Sequence, residues 1–237
     1  MVNFSKLKFA YDQLGWFDTR QDINDDVKSV LKEVKKLIRE FMVDNEPVKK
    51  GTFNLWDYTA TDELRLVLNG ILHDKEFKFA VATNAHIMVA DADSFDESKV
   101  DTGDEFDGRR PVDRYGKFID GRFPNWHAII PEDNDGYTTC NIPLKEIDEY
   151  IKKCNAYMKI EGWTGRSSRN PVYQVPGTEA WFNAHALRKF LLATGGEINI
   201  IDPARAACYW SEKRQAIIMP ILFNKEWDMG DGIYLAY

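Results

Sequence analysis

The sequence predicts an α+β protein, and three observations carry that reading. Residues 22–43 repeat apolar positions at three- and four-residue steps, the period of an amphipathic helix. Residues 77–90 place apolar side chains on alternating positions, as a paired strand does. From residue 137 onward, short strand-like runs surround two helix starts, at Pro143 and Asn183. The stretch that organises the rest is Gly121–Pro131, GRFPNWHAIIP. Phe123 and Trp126 bracket a turn at Pro124, and the apolar run Ala128, Ile129, Ile130 stops at Pro131. A connector this apolar must lie against something. It reads either as a buried linker or as one wall of a groove that a partner peptide uses.

Composition sets the bounds. The chain has 237 residues, with 44% apolar and 13% aromatic content, which suits a folded protein with ample core. No apolar run approaches the ~18 residues needed to span a bilayer, and the first residues lack the apolar core of a signal peptide. Cys140, Cys154 and Cys208 show no metal-binding spacing and read as small buried hydrophobes in a reducing, cytoplasmic compartment. The net charge of -7 is uneven. Residues 51–137 carry eighteen Asp and Glu against nine Lys and Arg, while residues 1–50 and 138–237 are nearly balanced. Segregated charge leaves room for a local basic face, so acidity does not exclude nucleic acid.

In chain order, residues 4–14 have helical spacing ended by Gly15. In the helix Asp22–Val43, Asp22 is the N-cap, and Lys28, Lys32, Lys35, Lys36 and Arg39 fall on the more exposed side. That stripe is either a solvated face or one turned toward phosphates. Residues 45–51 form a loop and Thr52–Tyr58 a strand. Glu63–Leu72 fits strand or helix by period. Phe77, Phe79 and Val81 share one face of the next strand, and Thr83–Met88 contains a turn. Asp91–Arg110 is acidic and reads as a surface loop lacking the spacing of a calcium site. Tyr137–Ile142 is a strand, Leu144–Cys154 a helix, and Met158, Ile160 and Trp163 continue as a strand. Gly165–Pro171 is a basic loop with Arg166 and Arg169. Strands at 172–175 and 179–182 precede a helix Ala184–Thr194, capped by Asn183 and ended by Gly195-Gly196. Three strands, 197–201, 207–211 and 215–223, complete the pattern.

No nucleophile elbow, P-loop, zinc-protease or dinucleotide motif is present, and His73, His86, His127 and His185 are dispersed. The expected role is therefore not enzymatic, with no cofactor and no metal.

GRFPNWHAIIP resembles the segment joining the second and third domains of bacterial DNA polymerase III beta subunits, the sliding clamps. Two further stretches resemble the same family in the same order. One is Leu66–Ala90, containing VLNGILHDKEFKFAVATNAHIMVA; the other is Trp181–Phe223, containing FNAHALRKFLLATGGEINIIDPARAA and AIIMPILF. Together they cover somewhat under half of the chain. The resemblance implies a DNA clamp-like fold, helices packed on antiparallel sheets in pseudo-symmetric halves. It favours a strand at Glu63–Leu72. It divides the chain into an abbreviated unit, residues 1–136, and a second unit, residues 137–237, with a C-terminal extension.

The function implied is a processivity or recruitment factor that associates non-specifically with duplex DNA and binds peptides of a DNA polymerase or other replication proteins. The alternative is a non-encircling adaptor or decoy of phage or mobile-element origin, and a trimeric ring and a monomer both stay open. Carried over by motif, the peptide groove uses Thr83, Ala85, His86, Ile87, Met88, Pro124, Ala128, Ile129, Ile217, Met219, Pro220 and Ile221. These positions are equally readable as core. The DNA-facing set is Lys28, Lys32, Lys35, Lys36, Arg39, Arg166, Arg169, Arg188 and Lys189. The sequence departs from the family at Asn84-Ala85, where Asp-Gly is usual, at Ala128, where arginine is common, and in a tail beyond residue 223. The tail reads as an edge strand at Ile233–Tyr237 or as a segment that folds into the groove.

Overall fold

A computed structural model describes residues 14, 25–44, 52–61, 64–131, 136–163 and 169–236. Residues 4–13 of the expected helix 4–14, the cap at Asp22, the loop at 45–51 and Arg166 lie outside the described residues, as do the side chains of Lys36 and Arg39. In chain order the elements are helix α1 (Asp25–Asp44), strands β1 (Leu72–Asp74), β2 (Phe79–Thr83), β3 (Ile87–Asp91) and β4 (Thr138–Asn141), and helix α2 (Leu144–Ile160). Strands β5 (Asn170–Gln174) and β6 (Trp181–Asn183), helix α3 (Ala184–Thr194), and strands β7 (Glu197–Ile200), β8 (Ala207–Trp210), β9 (Arg214–Ile218) and β10 (Leu235–Ala236) follow. The architecture is α+β. Two compact units divide the chain: residues 51–144 with 173–223, and residues 1–50 with 145–172 and 224–237.

The first and larger unit is built on a seven-stranded antiparallel sheet ordered β1-β2-β3-β9-β8-β7-β4. The division expected near residue 136 falls inside this unit, because β9 pairs with β3 in the register Ile87↔Ile218, Met88↔Ile217. On one sheet face Leu72, Phe79, Val81, Met88, Ala90, Cys208 and Ile217 form a core with Phe123 and Trp126. Helix α3 packs on β9, β7, β6 and β3, and all ten residues of β2 and β3 are buried. Asn183 starts α3 by accepting from the His185 and Ala186 amides at 3.0 and 3.1 Å. Gly195, at φ 70°, ends it.

Several expected elements take another form. Thr52–Tyr58 is not a strand but holds a 3₁₀ turn, Leu55–Tyr58, because the Asn54 side chain accepts from the Trp56 amide at 3.1 Å. That turn brings Leu55 and Tyr58 together in the core. Glu63–Leu72 is likewise not a strand: Leu66–Asn69 is a 3₁₀ turn, and the chain extends only from Leu72. A Cβ at Gly70 would stand 2.7 Å from the Val112 carbonyl oxygen, so the backbones meet where only glycine fits. The acidic run lies at the surface, with Asp93, Glu97, Asp104, Glu105 and Asp107 exposed, but it is anchored at two points. Asp91 and Asp101 are buried, and each pairs with an arginine, Arg214 at 2.6 Å and Arg110 at 3.4 Å. The last of the expected strands stops at Ile218 instead of Phe223.

In the smaller unit α2 runs to Ile160, so Met158 and Ile160 are helical rather than extended. No glycine or proline interrupts the chain before Gly162, and Met158 extends the buried stripe Ile147, Ile151, Cys154. Cys154 and Met158 pack with Ile233 and Leu235 of the tail. The tail forms an edge strand, with Leu235 opposite Pro171 and Ala236 opposite Asn170. Tyr150 ties both sides, donating to the Val172 carbonyl at 2.6 Å and accepting from the Tyr234 amide at 3.1 Å. All three cysteines are free, and burial pushes the Cys154 and Cys208 thiols up to about 12, so neither is a ready nucleophile.

Candidate peptide groove

The turn between β2 and β3 is assembled by its own side chains. Thr83 Oγ1 donates to the Ile87 carbonyl at 2.9 Å and accepts from the Ala85 amide at 3.1 Å. Asn84 Oδ1 accepts from the His86 and Ile87 amides at 3.0 and 2.9 Å. Ala85 takes the left-handed φ of 72° that glycine adopts freely, a cost of about 1 kcal/mol. The Asn84 side chain offsets it locally.

Gly121–Pro131 is anchored by its aromatics. Phe123 and Trp126 are each 1% exposed. The Trp126 ring meets Phe77 and Phe79 edge-on, and its Nε1 donates to Asp74 Oδ2 at 2.8 Å. A Cβ at Gly121, where φ is 122°, would come 2.6 Å from Val67 Cγ1, which sets this segment hard against residues 64–68. Beyond β9 the Met219 amide donates to the His86 carbonyl at 2.9 Å and carries the chain across the hairpin tip.

Between these segments lies an open groove of about 650 Å³. Nine of the twelve expected residues line it: Thr83, Ala85, His86, Ile87, Met88, Pro124, Ile129, Ile217 and Met219. Ile87, Met88 and Ile217 are buried and form its floor, so they serve as core and as lining together. The rim is apolar and exposed: Leu64 is 94% accessible, Ile129 57%, Leu66 55% and Met219 48%. These exposed apolar side chains surround one concavity open to solvent.

Three expected residues are not in the groove. Ala128 sits exposed in the 3₁₀ turn His127–Ile129. Pro220, next to the lining residue Met219, is absent from the lining. Ile221 turns to another hollow with Trp181 and Phe223, held by its amide on the Trp181 carbonyl at 2.8 Å. The wall formed by Leu64–Leu68 was not expected, nor were Asp120, Phe123 and Trp126 as lining. The alternation of Leu64, Leu66 and Leu68 was the available signal, but it reads as a strand.

The expected DNA-facing cations are divided between the two units. Lys28, Lys32 and Lys35 lie on α1, and the Arg169 guanidinium stacks 3.9 Å from the Trp163 ring centroid. Arg188 and Lys189 lie on α3 of the larger unit, with Lys189 Nζ donating to the Asp57 carbonyl at 2.9 Å.

Near the sheet's first strand, His73 is 4% exposed and its Nδ1 accepts from the Asp96 amide at 3.1 Å. Burial, reinforced by the Lys99 charge, lowers the imidazole from 6.5 to about 4. The unfolded chain therefore binds more protons between those values, and stability is complete above pH 6.5 and lost as pH falls toward 4. The loss expected from this one group is about 3 kcal/mol. Urea unfolding across this pH range checks it, and His73→Asn removes this part of the slope.

No protein-family model and no curated protein matches the chain. Among solved structures it is similar to bacterial sliding clamps. The Bacillus subtilis DNA polymerase sliding clamp aligns at TM-score 0.48 and 13% identity, over 80% of this chain and 63% of that one. The Caulobacter crescentus beta sliding clamp aligns at 0.46 and 16%, over 70% and 61%. The Helicobacter pylori beta clamp bound to a DNA ligase peptide aligns at 0.42 and 14%, over 71% and 61%. The chain spans about three fifths of the length of these clamps. Among the described residues no helix is long and apolar enough to cross a membrane.

Proposed function

We propose that this protein is a non-enzymatic, clamp-like recruitment factor whose groove receives short apolar peptides from replication proteins while the chain associates with duplex DNA. One observation carries the reading. Three segments separated in sequence, Thr83–Met88, Pro124–Ile129 and Ile217–Met219, meet with Leu64 and Leu66 around one exposed apolar groove. A mostly preformed concavity with a methionine on its rim suits several related peptides. The H. pylori clamp with its DNA ligase peptide is an instance of the same pairing in a similar protein. The cations of α1, with Arg188 of α3, supply phosphate contacts that need no base reading.

Fluorescence anisotropy with a labelled Gly-Ser-Leu-Leu-Phe-Gly peptide tests the groove. Leu64 and Leu66 are exposed, so the double variant L64S/L66S is expected to keep its stability within about 0.5 kcal/mol. Its affinity for the peptide is expected to fall about tenfold. Equal binding by variant and parent overturns the proposal. Solution mass and salt-dependent retention on circular against linear DNA test the second half, and retention on circular DNA alone identifies encirclement.

A further inference from the structure

Beside the apolar groove, in the same unit, lies a second recess of about 680 Å³, lined by Trp56, Asp57, Asn84, His86, Arg114 and Lys189 among others. His86 lines both hollows, and the Asn84–His86 turn is the ridge between them. The character of the two differs. The groove is lined mainly by apolar side chains, whereas among the described residues the recess carries the cations Arg114 and Lys189 with the carboxylate of Asp57. Arg114 comes from the stretch 51–137, where acids outnumber bases two to one, and Lys189 comes from α3 outside it.

The recess is held open by fixed contacts. Tyr58 Oη donates to the Lys189 carbonyl at 2.7 Å, which joins the 3₁₀ turn to α3. Lys189 Nζ reaches back to the Asp57 carbonyl at 2.9 Å. The Arg114 guanidinium lies 5.6 Å from the Trp56 ring centroid. A guanidinium and an ammonium so placed are suited to carboxylates on an extended chain.

We infer that the peptide partner is bipartite: an apolar core seated in the groove and an acidic flank that crosses the His86 ridge into the Arg114–Lys189 recess. This rests on the groove reading and adds the charge of the partner. A neutral flank leaves both cations solvated, and a basic flank is repelled. Exposed pairs of this kind are individually weak, so the flank selects among partners and speeds encounter more than it anchors them.

The test compares three labelled peptides sharing the Leu-Leu-Phe core, with three Asp, three Ser or three Lys added at one end, and a second set with the addition at the other end. The Asp-flanked peptide of one set is expected to bind about fivefold tighter than its Ser counterpart at low salt, and the advantage shrinks as salt screens it. The Lys-flanked peptide binds weakest. In R114Q/K189Q the Asp-to-Ser affinity ratio falls toward one. Equal affinities for Asp and Ser flanks in both sets, with all peptides bound, overturn this inference and leave the groove reading standing. Failure of every peptide to bind overturns both.

Discussion

Replacing Trp126 with alanine is expected to cost about 4 kcal/mol of folding stability and to abolish peptide binding in whatever fraction stays folded. The indole is 1% exposed, packs edge-on against Phe77 and Phe79, and lies next to His127. Its removal leaves a cavity in the core beneath the groove and strips the Asp74 carboxylate of its 2.8 Å partner. Trp126→Phe separates the two effects. It keeps most of the ring, while Asp74 retains the Glu76 and Phe77 amides, so a loss of about 2 kcal/mol is expected. Urea unfolding of the three proteins checks the order. A loss below about 1.5 kcal/mol for the alanine variant contradicts the anchoring role given to this residue.

Asp91→Ala is expected to cost about 3–4 kcal/mol, because it leaves the Arg214 charge without its carboxylate. Asp91 is 2% exposed, and one of its oxygens takes both the Arg214 Nε and Nη2 groups, at 2.8 and 2.6 Å. Arg214 also donates to the Ala193 carbonyl at 2.7 Å and lies 3.7 Å from the Phe53 ring centroid, so it joins the sheet to the end of α3. Arg214→Met is expected to cost a similar amount. The double variant D91A/R214M is expected to lose about 2 kcal/mol less than the sum of the single losses, since it removes both charges at once. A double-mutant cycle in urea measures this directly, and additivity within about 0.5 kcal/mol contradicts the pairing.

The parts legible in the sequence are those fixed by local chemistry. Asn183 and Gly195 mark the ends of α3 because capping and left-handed φ are properties of single residues. The β2–β3 hairpin is visible because its apolar positions run to a turn rich in side-chain acceptors. The anchoring of Phe123 and Trp126 follows from their size alone. What escaped notice depends on distant partners. Asp91 and Arg214 stand 123 residues apart, so the acidic run reads as a loose surface until the strands that join them are known. Leu64, Leu66 and Leu68 alternate like a strand, yet they line the groove from a bend at Leu64 and the 3₁₀ turn Leu66–Asn69. Ala128 and Ile221 are expected in the groove from the motif resemblance alone, which does not fix the direction a side chain takes outside a regular strand.

The same distinction governs the functional reading. The resemblance of three apolar segments to one family implies their convergence, and their meeting around an exposed rim is a property of the larger unit alone. The recess with Arg114 and Lys189 had no signature in the sequence, because 75 residues separate them and the turn at Asn84–His86 brings a third element between.

Methyl NMR of protein labelled at Ile, Leu and Met, titrated with the Leu-Leu-Phe peptide, tests the central claim most directly. Shifts concentrated at Leu66, Ile87, Met88, Ile217 and Met219, with Met158 and Leu235 of the smaller unit unmoved, are the predicted result. Shifts confined to residues outside the groove, or none at saturating peptide, contradict it.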